Sequence, residues 1–358
     1  MGGGLLMDGR PATVRTYKTT TSNKTKLMKL EFAFLISALC PIIGQNAAPP
    51  VNIGYTEPAP FQVAPGQVVT LFLDDISFGA DGSLRAAQAG GGDLPKSLSG
   101  ISVRITQLDG SEMQAPIFAV QQKRVCGLSG LEAGDAGCLL TLVKAQIPFE
   151  LPGDPVLGEQ NVYTLPQPAL ISIDVDGRRG RGFPLQPLPD NSHVLTRCDD
   201  VWDTSTSSLC DRQVFHSDGS EVTRGAPAKA GETLSVLSYG LGRTDPIVAS
   251  GRPSPEGAMI TAPIPNAPRV TLGIVTKFVN VLSSAPRMAF NPDISGATPL
   301  RITAASLLPD QIGIYMVSFT LPVPKDPIIP CDSDVRSNSL LLITTSQGVE
   351  SIGLCLQP

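Results

Sequence analysis

The chain has 358 residues, enough for about two domains of ordinary size. Hydrophobic residues make up 42% of it and charged residues only 16%, while glycine contributes 35 positions and proline 33. This composition excludes a disordered or collagen-like chain and favours short strands joined by frequent turns around hydrophobic cores.

The N-terminal segment is typical of an export signal. Residues 32–43 form an apolar run, which is shorter than the ~20 residues that a membrane-spanning helix needs and suits a secretory signal. Small residues follow it, and cleavage is expected after Gly44 or as late as Ala47. The sequence before it is basic, with Arg10, Arg15, Lys18, Lys24, Lys26 and Lys29. We therefore expect residues 1–44 to be a leader and signal peptide, starting at Met1 or Met28.

Two other interpretations of this segment stay open. Cys40 ends the apolar run, as in a lipoprotein, although Leu39 is a poor match to the small residue that a lipobox requires. A buried core helix is the second alternative, and the proline-rich sequence that follows argues against it.

The charge of the exported part limits its partners. Without residues 1–44 the chain keeps 21 basic and 30 acidic residues, a net charge near −9. Such a surface repels phosphate backbones, so we expect no nucleic-acid partner. No later segment approaches the length of a transmembrane helix, and we expect the mature protein outside the cell or in the periplasm.

Six cysteines follow the export segment, and an even number suits an oxidising compartment. The sequence alone does not choose their pairing, but neighbours along the chain would each close a short loop, a gain of about 3 kcal/mol per disulfide. The pairs expected on this basis are Cys126–Cys138, Cys198–Cys210 and Cys331–Cys355.

The first module is predicted over residues 45–186. A proline-rich lead-in precedes a turn at Gly66 and a strand at residues 67–73, and residues 79–100 are a glycine-rich loop. Residues 101–106 alternate apolar and polar side chains, as a strand with one buried face does. Three further strands are expected at residues 116–120, 139–150 and 169–177, the first paired with residues 101–106 across an Asp109-Gly110 turn and the second interrupted at Pro148.

The second module, residues 216–358, repeats this order after a disulfide-closed connector at residues 187–215. Gly231 takes the place of Gly66, and the strand at residues 233–239 takes that of residues 67–73. The remaining strands are expected at residues 269–274, 315–323, 339–345 and 351–356. The sequence therefore predicts an all-β protein of two tandem immunoglobulin-like sandwiches after an N-terminal signal segment.

Parts of the second module resemble a known group of proteins. Residues 228–242 (AKAGETLSVLSYGLG), residues 311–322 (QIGIYMVSFTLP) and the Ser-Asn-Ser of residues 337–339 are similar to the C-terminal repeat of uncharacterised secreted proteins of Acidobacteria such as Solibacter. The resemblance covers residues 210–358 well and residues 51–180 more loosely. It implies an immunoglobulin-like or TIG-type β-sandwich and secretion, and it implies no catalytic residue.

Hydrolytic and metal chemistry find little support in the residues. The chain has only two histidines and no Gly-x-Ser-x-Gly sequence, so a nucleophilic hydrolase is disfavoured. A zinc site could use His193, Cys198, Cys210 and His216, but an oxidised cysteine pair is the favoured interpretation. Calcium could bind at Asp174-Val-Asp-Gly177, where a hairpin turn explains the pattern better, or at Asp199, Asp200 and Asp203, where a solvated loop does.

Two features are candidate ligand contacts. Arg178, Arg179 and Arg181 are the only basic run after the signal segment and could meet an acidic partner or a polysaccharide, although a charged hairpin tip is the simpler interpretation. Trp202, the only tryptophan, could stack on a sugar, although packing within its own loop is favoured.

These observations predict an exported structural or interaction protein of the cell surface or extracellular space, without enzymatic activity or cofactor. The expected partner is a protein, a polysaccharide or another copy of the chain. A carbohydrate-binding protein, or a non-catalytic accessory module of a secreted hydrolase system, is the alternative.

Overall fold

The fold is described from a computed structural model of the chain. It describes residues 51–52, 61–74, 76–124, 139–158, 162–196, 199, 212–276, 296–324, 327–332 and 337–358. These residues form strands and turns without an α-helix, which confirms the all-β prediction. In this part of the chain, accordingly, no helix has the length and apolar character to cross a membrane.

We name residues 51–187 the N-terminal half and residues 193–358 the C-terminal half. The strands of the N-terminal half are β1 (Val51–Asn52), β2 (Phe61–Val63), β3 (Val68–Asp74), β4 (Ala86–Gln88), β5 (Ile101–Thr106), β6 (Glu112–Ala115), β7 (Ile117–Arg124), β8 (Leu139–Gln146), β9 (Val156–Leu157), β10 (Tyr163–Thr164), β11 (Ala169–Val175), β12 (Arg178–Arg179) and β13 (Phe183–Pro187). Those of the C-terminal half are β14 (His193–Val194), β15 (Val214–His216), β16 (Thr233–Tyr239), β17 (Thr244–Asp245), β18 (Met259–Ile260), β19 (Thr271–Val275), β20 (Thr298–Leu307), β21 (Tyr315–Thr320), β22 (Ser339–Thr345) and β23 (Gly348–Leu354).

Two sheets of the N-terminal half enclose one hydrophobic core. The first has the strand order β1-β3-β8-β7-β4, and the second has the order β2-β13-β11-β5-β6 with β12 paired to β11. Their neighbouring strands are antiparallel except for β2 and β13, which are parallel. Buried aliphatic side chains from both sheets fill the core. The two sheets are thus stacked face to face, as apolar faces of sheets require.

Strand β5 shows how the sequence produces this layer. Ile101, Val103 and Ile105 are fully buried, whereas the side chains between them are partly exposed. Burying each aliphatic side chain stabilises the fold by about 1.5 to 3 kcal/mol relative to leaving it exposed. The predicted strand with one buried face is therefore confirmed.

The partner predicted for β5 was wrong. Residues 116–120 do not pair with it across the Asp109-Gly110 turn; the shorter strand β6 does, and β7 pairs with β8 in the other sheet. Pro116 separates β6 from β7, and it has no N–H to continue the ladder. The chain therefore passes from one sheet to the other at this proline.

The C-terminal half is built on one strongly curved sheet. The strand order is β14-β16-β21-β20-β19-β22-β23; β15 pairs with β16, and β18 pairs with β20 and with β17. The long strand β20 pairs with β19 through residues 298–300 and with β21 from Arg301 onward, with a bulge between Ile302 and Ala304 in the second ladder. Bulges increase local twist. The sheet wraps around a second hydrophobic core, in which Tyr315 and Phe319 are fully buried.

The two ends of this sheet approach each other, so that it is nearly closed. The Val194 N–H of β14 donates to the Glu350 carboxylate of β23 over 3.2 Å, and Arg212 donates to the Ser351 carbonyl over 2.9 Å. Leu356, just after β23, forms a parallel bridge with Ala228. These contacts cover part of what would otherwise be two open sheet edges.

One turn occurs in the same form in both halves. The Gly66 N–H donates to Ile147 O and the Ile147 N–H donates to Gln67 O; the Gly231 N–H donates to Leu321 O and the Leu321 N–H donates to Glu232 O. Both glycines have φ of +77°, a value that glycine adopts at little cost. The predicted correspondence of Gly66 with Gly231 is therefore confirmed, because the two turns make the same hydrogen bonds.

The segment between the halves is held on both sides. Pro189 O accepts a hydrogen bond from Arg269 of the C-terminal half, and Asn191 bonds to Gln62 O and to Gly240 O. A side chain at Gly240 would collide with Asn191 O, so this close approach requires glycine. Within the range predicted as a connector, β14 and β15 are strands paired to β16. The described residues from 51 to 358 accordingly belong to one compact unit.

Candidate functional site

A shallow apolar groove lies on the N-terminal half. Its volume is about 330 Å³, and its walls come from residues 107–109 in the β5–β6 turn, residues 151–152, residues 166–169 and Pro187. Four of these positions are prolines, and Leu108 is 70% exposed at the rim. Proline-walled grooves keep their shape, because the pyrrolidine ring fixes φ.

A short apolar ribbon joins the groove. Strands β9 and β10 form a separate two-stranded sheet, with Tyr163 opposite Leu157 and Thr164 opposite Val156. We define the apolar ribbon as its five large apolar side chains, which are between 41% and 62% exposed: Val156, Leu157, Val162, Tyr163 and Leu165. Apolar side chains packed so densely on an exposed surface indicate an interaction site.

The chain leading into the ribbon is firmly anchored. Phe149 lies in the core of the C-terminal half, and Leu151 lies in the core of the N-terminal half. Between them and the ribbon, Asp154 forms a 2.7 Å ion pair with Arg269 of the C-terminal half. The ribbon therefore extends from a rigid segment, which lowers the entropy lost when a partner binds.

The arginine run of residues 178–181, a candidate ligand contact, lies at an exposed hairpin. Asp176 and Gly177 form the turn between β11 and β12, and both have positive φ, 49° and 78°, as a type I′ turn requires. Arg178, Arg179 and Arg181 are exposed beyond it. Arg179 pairs with Glu112 over 2.9 Å.

This pairing forms part of a charged network on the outer face of the second sheet. Glu112 also binds Arg104 over 2.7 Å, and Arg104 binds Asp174 over 2.6 Å. Hydrogen bonds from Arg179 and Arg104 lower the pKa of Glu112. Arg179 is thus paired with a carboxylate of the same chain, whereas Arg178 and Arg181 are exposed to solvent.

Neither calcium alternative has support among the described residues. Asp174 is paired with Arg104, and Asp176 is paired with Arg85 over 2.5 Å. A hydrogen bond from Arg85 lowers the pKa of Asp176, so both carboxylates already have cationic partners. Asp199 binds His193, while Asp200 and Asp203 lie outside the described residues.

The two histidines of the zinc alternative are likewise engaged with other partners. His193 Nε2 lies 2.9 Å from Asp199 Oδ1, and His216 Nδ1 lies 2.6 Å from Glu232 Oε1. Cys198 and Cys210 lie outside the described residues. Nowhere in the described ranges do three or more His, Cys, Asp or Glu side chains form a metal-binding group.

His216 has an acceptor at each ring nitrogen. Glu232 faces Nδ1, and Ala226 O lies 3.1 Å from Nε2, an arrangement that favours the doubly protonated ring. Burial lowers the pKa of His216, but these acceptors and the charge of Asp218 outweigh it, so the pKa is raised. This pair is therefore a charged structural contact in the C-terminal half.

Only one of the three expected disulfides falls within the described residues. Cys331 and Cys355 are bonded, with 6.1 Å between their Cα atoms. Cys126 and Cys138 lie outside the described residues, as do Trp202 and the signal segment. Those predictions stay predictions.

A buried polar cluster, which the sequence did not reveal, joins the two halves. The Arg269 side chain is fully buried and donates to Pro189 O, to Thr261 O and to Asp154. Asp190 is fully buried nearby, and burial raises its pKa against the opposing charge of Arg269. Because neither side chain is accessible, the cluster holds the halves together and offers no site for a substrate.

The apolar ribbon was also missed, although its sequence held a signal. Residues 155–168 contain one charged side chain, Glu159, and several large apolar ones between prolines. A low-charge stretch of this kind in an acidic protein indicates either a buried strand or a contact surface. Strands of two residues are too short for periodicity to distinguish these alternatives.

No protein-family model fits the chain, and no curated protein is significantly similar to it.

Proposed function

We propose that the chain is an exported, non-enzymatic structural or interaction protein of the cell surface or extracellular space, built from two tandem immunoglobulin-like sandwiches. The observation that carries this proposal is the apolar ribbon, with five exposed apolar side chains next to a proline-walled groove. Soluble monomers rarely expose such clusters unless they bind something there.

The sandwich architecture is supported by the repeated turn and by the two separate cores. Gly66 and Gly231 make matching hydrogen bonds at the start of corresponding strands, and each half buries its own set of aliphatic side chains. Proteins of this architecture use strand edges and loops as contact surfaces. The disulfide between Cys331 and Cys355 suits an oxidising compartment outside the cytoplasm.

Localisation of the native protein tests the proposal. Fractionation and immunogold microscopy of the producing cells should place the protein on the outer surface or in the medium, and external protease should remove it from intact cells. Recovery from the cytoplasm would contradict the proposal. A glycan array provides a second test, since sugar binding that Trp202→Ala abolishes would favour the carbohydrate-binding alternative.

A further inference from the structure

We propose that the apolar ribbon binds a second copy of this chain through antiparallel pairing of β10 with its own symmetry mate. This inference rests on the proposed function and names the partner of the same surface. Three observations support it: the ribbon is an isolated two-stranded sheet within the described residues, both of its faces carry apolar side chains, and its sequence carries little charge.

The first observation is that the ribbon is a two-stranded sheet. Within the described part of the chain, β9 and β10 pair only with each other, and the Gly158 N–H to Val162 O bond continues their ladder. Isolated two-stranded sheets are marginal in water, and extra strands stabilise them. An edge strand that pairs antiparallel with its own copy is self-complementary about a two-fold axis. Two ribbons would form one four-stranded sheet.

The second observation is that both faces of the ribbon carry apolar side chains. The pairing places Leu157 and Tyr163 on one face and Val156 on the other, because side chains alternate along strands. Each is between 41% and 62% exposed. A four-stranded sheet built from two ribbons would bring these rows alongside their copies on each face.

The third observation is that the ribbon segment carries little charge in an acidic chain. The chain has a net charge of −5, and residues 45–358 alone are near −9, so most pairs of surfaces from two copies repel each other. Residues 155–168 carry only Glu159. The ribbon is therefore a surface on which two copies can meet with little like-charge repulsion, whereas a strongly charged partner would gain nothing there.

Sedimentation velocity of the purified full chain tests the inference. The contact is small, so we expect a reversible dimer with a Kd in the micromolar range, visible as a rising sedimentation coefficient between about 1 and 100 µM. Tyr163→Asp places two like charges on the two paired β10 strands of the dimer and should weaken association at least about tenfold. Ile247→Asp is the matched control, because Ile247 is 84% exposed on a separate loop and should leave the dimer unchanged.

Both substituted positions are exposed, so the variants should keep wild-type circular dichroism and melting behaviour. A chain that stays monomeric over this range, or a dimer that the two substitutions weaken equally, would overturn the inference. The two proposals fail separately. A monomer found on the outer cell surface contradicts only the dimer, and a ribbon-dependent dimer found in the cytoplasm contradicts only the proposed function.

Discussion

Replacement of Arg269 by methionine tests the contact between the two halves. The Arg269 side chain has no exposed surface, and its guanidinium binds Thr261 O over 2.6 Å, Pro189 O, and Asp154 over 2.7 Å. Methionine keeps most of the aliphatic volume and removes every donor. Arg269→Met therefore leaves one carboxylate and two carbonyl groups without their partner.

The expected loss of folding free energy follows from the burial of these groups. Removing one member of a buried ion pair costs about 3 to 5 kcal/mol, since the other charge is left without compensation. The Asp154 side chain is 22% exposed and can recover some hydration, which moves the expectation to the lower end. We expect Arg269→Met to lower the free energy of unfolding by about 3 kcal/mol.

Urea denaturation followed by far-UV circular dichroism measures this loss. Arg252→Met is the matched control, because the Arg252–Asp93 pair joins side chains that are 65% and 64% exposed. Exposed pairs of this kind contribute under about 1 kcal/mol. If Arg269→Met costs no more than Arg252→Met, the buried cluster does not hold the halves together and the reasoning is refuted.

Three further predictions concern other contacts. Phe149→Ala should cost about 3 to 5 kcal/mol, and hydrogen exchange should show the loss in the C-terminal half, whose core contains this side chain. The stabilisation from His216 and Glu232 should be largest between pH 4.5 and 6.5, their ordinary pKa values. Above this window the stabilisation should decline as the pH rises through the raised pKa of His216, and below it as the pH falls through the lowered pKa of Glu232. Urea denaturation measured at a series of pH values checks this. Reduction of the Cys331–Cys355 bond, which closes a separation of 24 residues, should lower the unfolding free energy by about 3 kcal/mol.

Each of these predictions has a control. Phe149→Leu keeps most of the buried area and should recover most of the lost stability, whereas equal losses for both variants would contradict the packing argument. His216→Gln should flatten the pH dependence of stability between pH 6.5 and 8, and an unchanged profile would contradict the assignment. Non-reducing peptide mapping should recover Cys331 linked to Cys355, and a free thiol at either position would contradict the bond.

Local features of the fold could be read from the sequence. The alternation of Ile101, Val103 and Ile105 gave the buried face of β5, because side chains on a strand have a period of two. The correspondence of Gly66 with Gly231 identified a turn that both halves repeat. In each case the information lies within a few residues, where propensity and turn chemistry decide the structure.

Long-range partners could not be read in this way. Pro148 indicates where β8 ends, but nothing nearby indicates that Phe149 enters the core of the other half. Arg85 is similar: it lies in the loop predicted to be irregular, and its guanidinium binds Ser77 O, Phe78 O and Ser99 O together with Asp176. Backbone carbonyl acceptors leave no signal in side-chain composition, so such a contact is visible only in the fold.

The candidate site was missed for a related reason. A run of arginines and a single tryptophan are easily recognised in a sequence as candidate ligand contacts. The sequence therefore pointed to the run from Arg178 to Arg181 and to Trp202. The apolar ribbon consists of ordinary apolar side chains, and the sequence pattern is the same whether they are buried or exposed. Their exposure depends on the isolation of β9 and β10 from both main sheets.

The central claim is that the protein acts outside the cell through its apolar ribbon. Its most direct test is the amount of labelled full-length protein that intact producing cells retain, compared for wild type, Tyr163→Asp and Ile247→Asp at equal concentration. The account predicts that cells retain wild type and Ile247→Asp equally and lose most of Tyr163→Asp. Equal retention of all three proteins would contradict it.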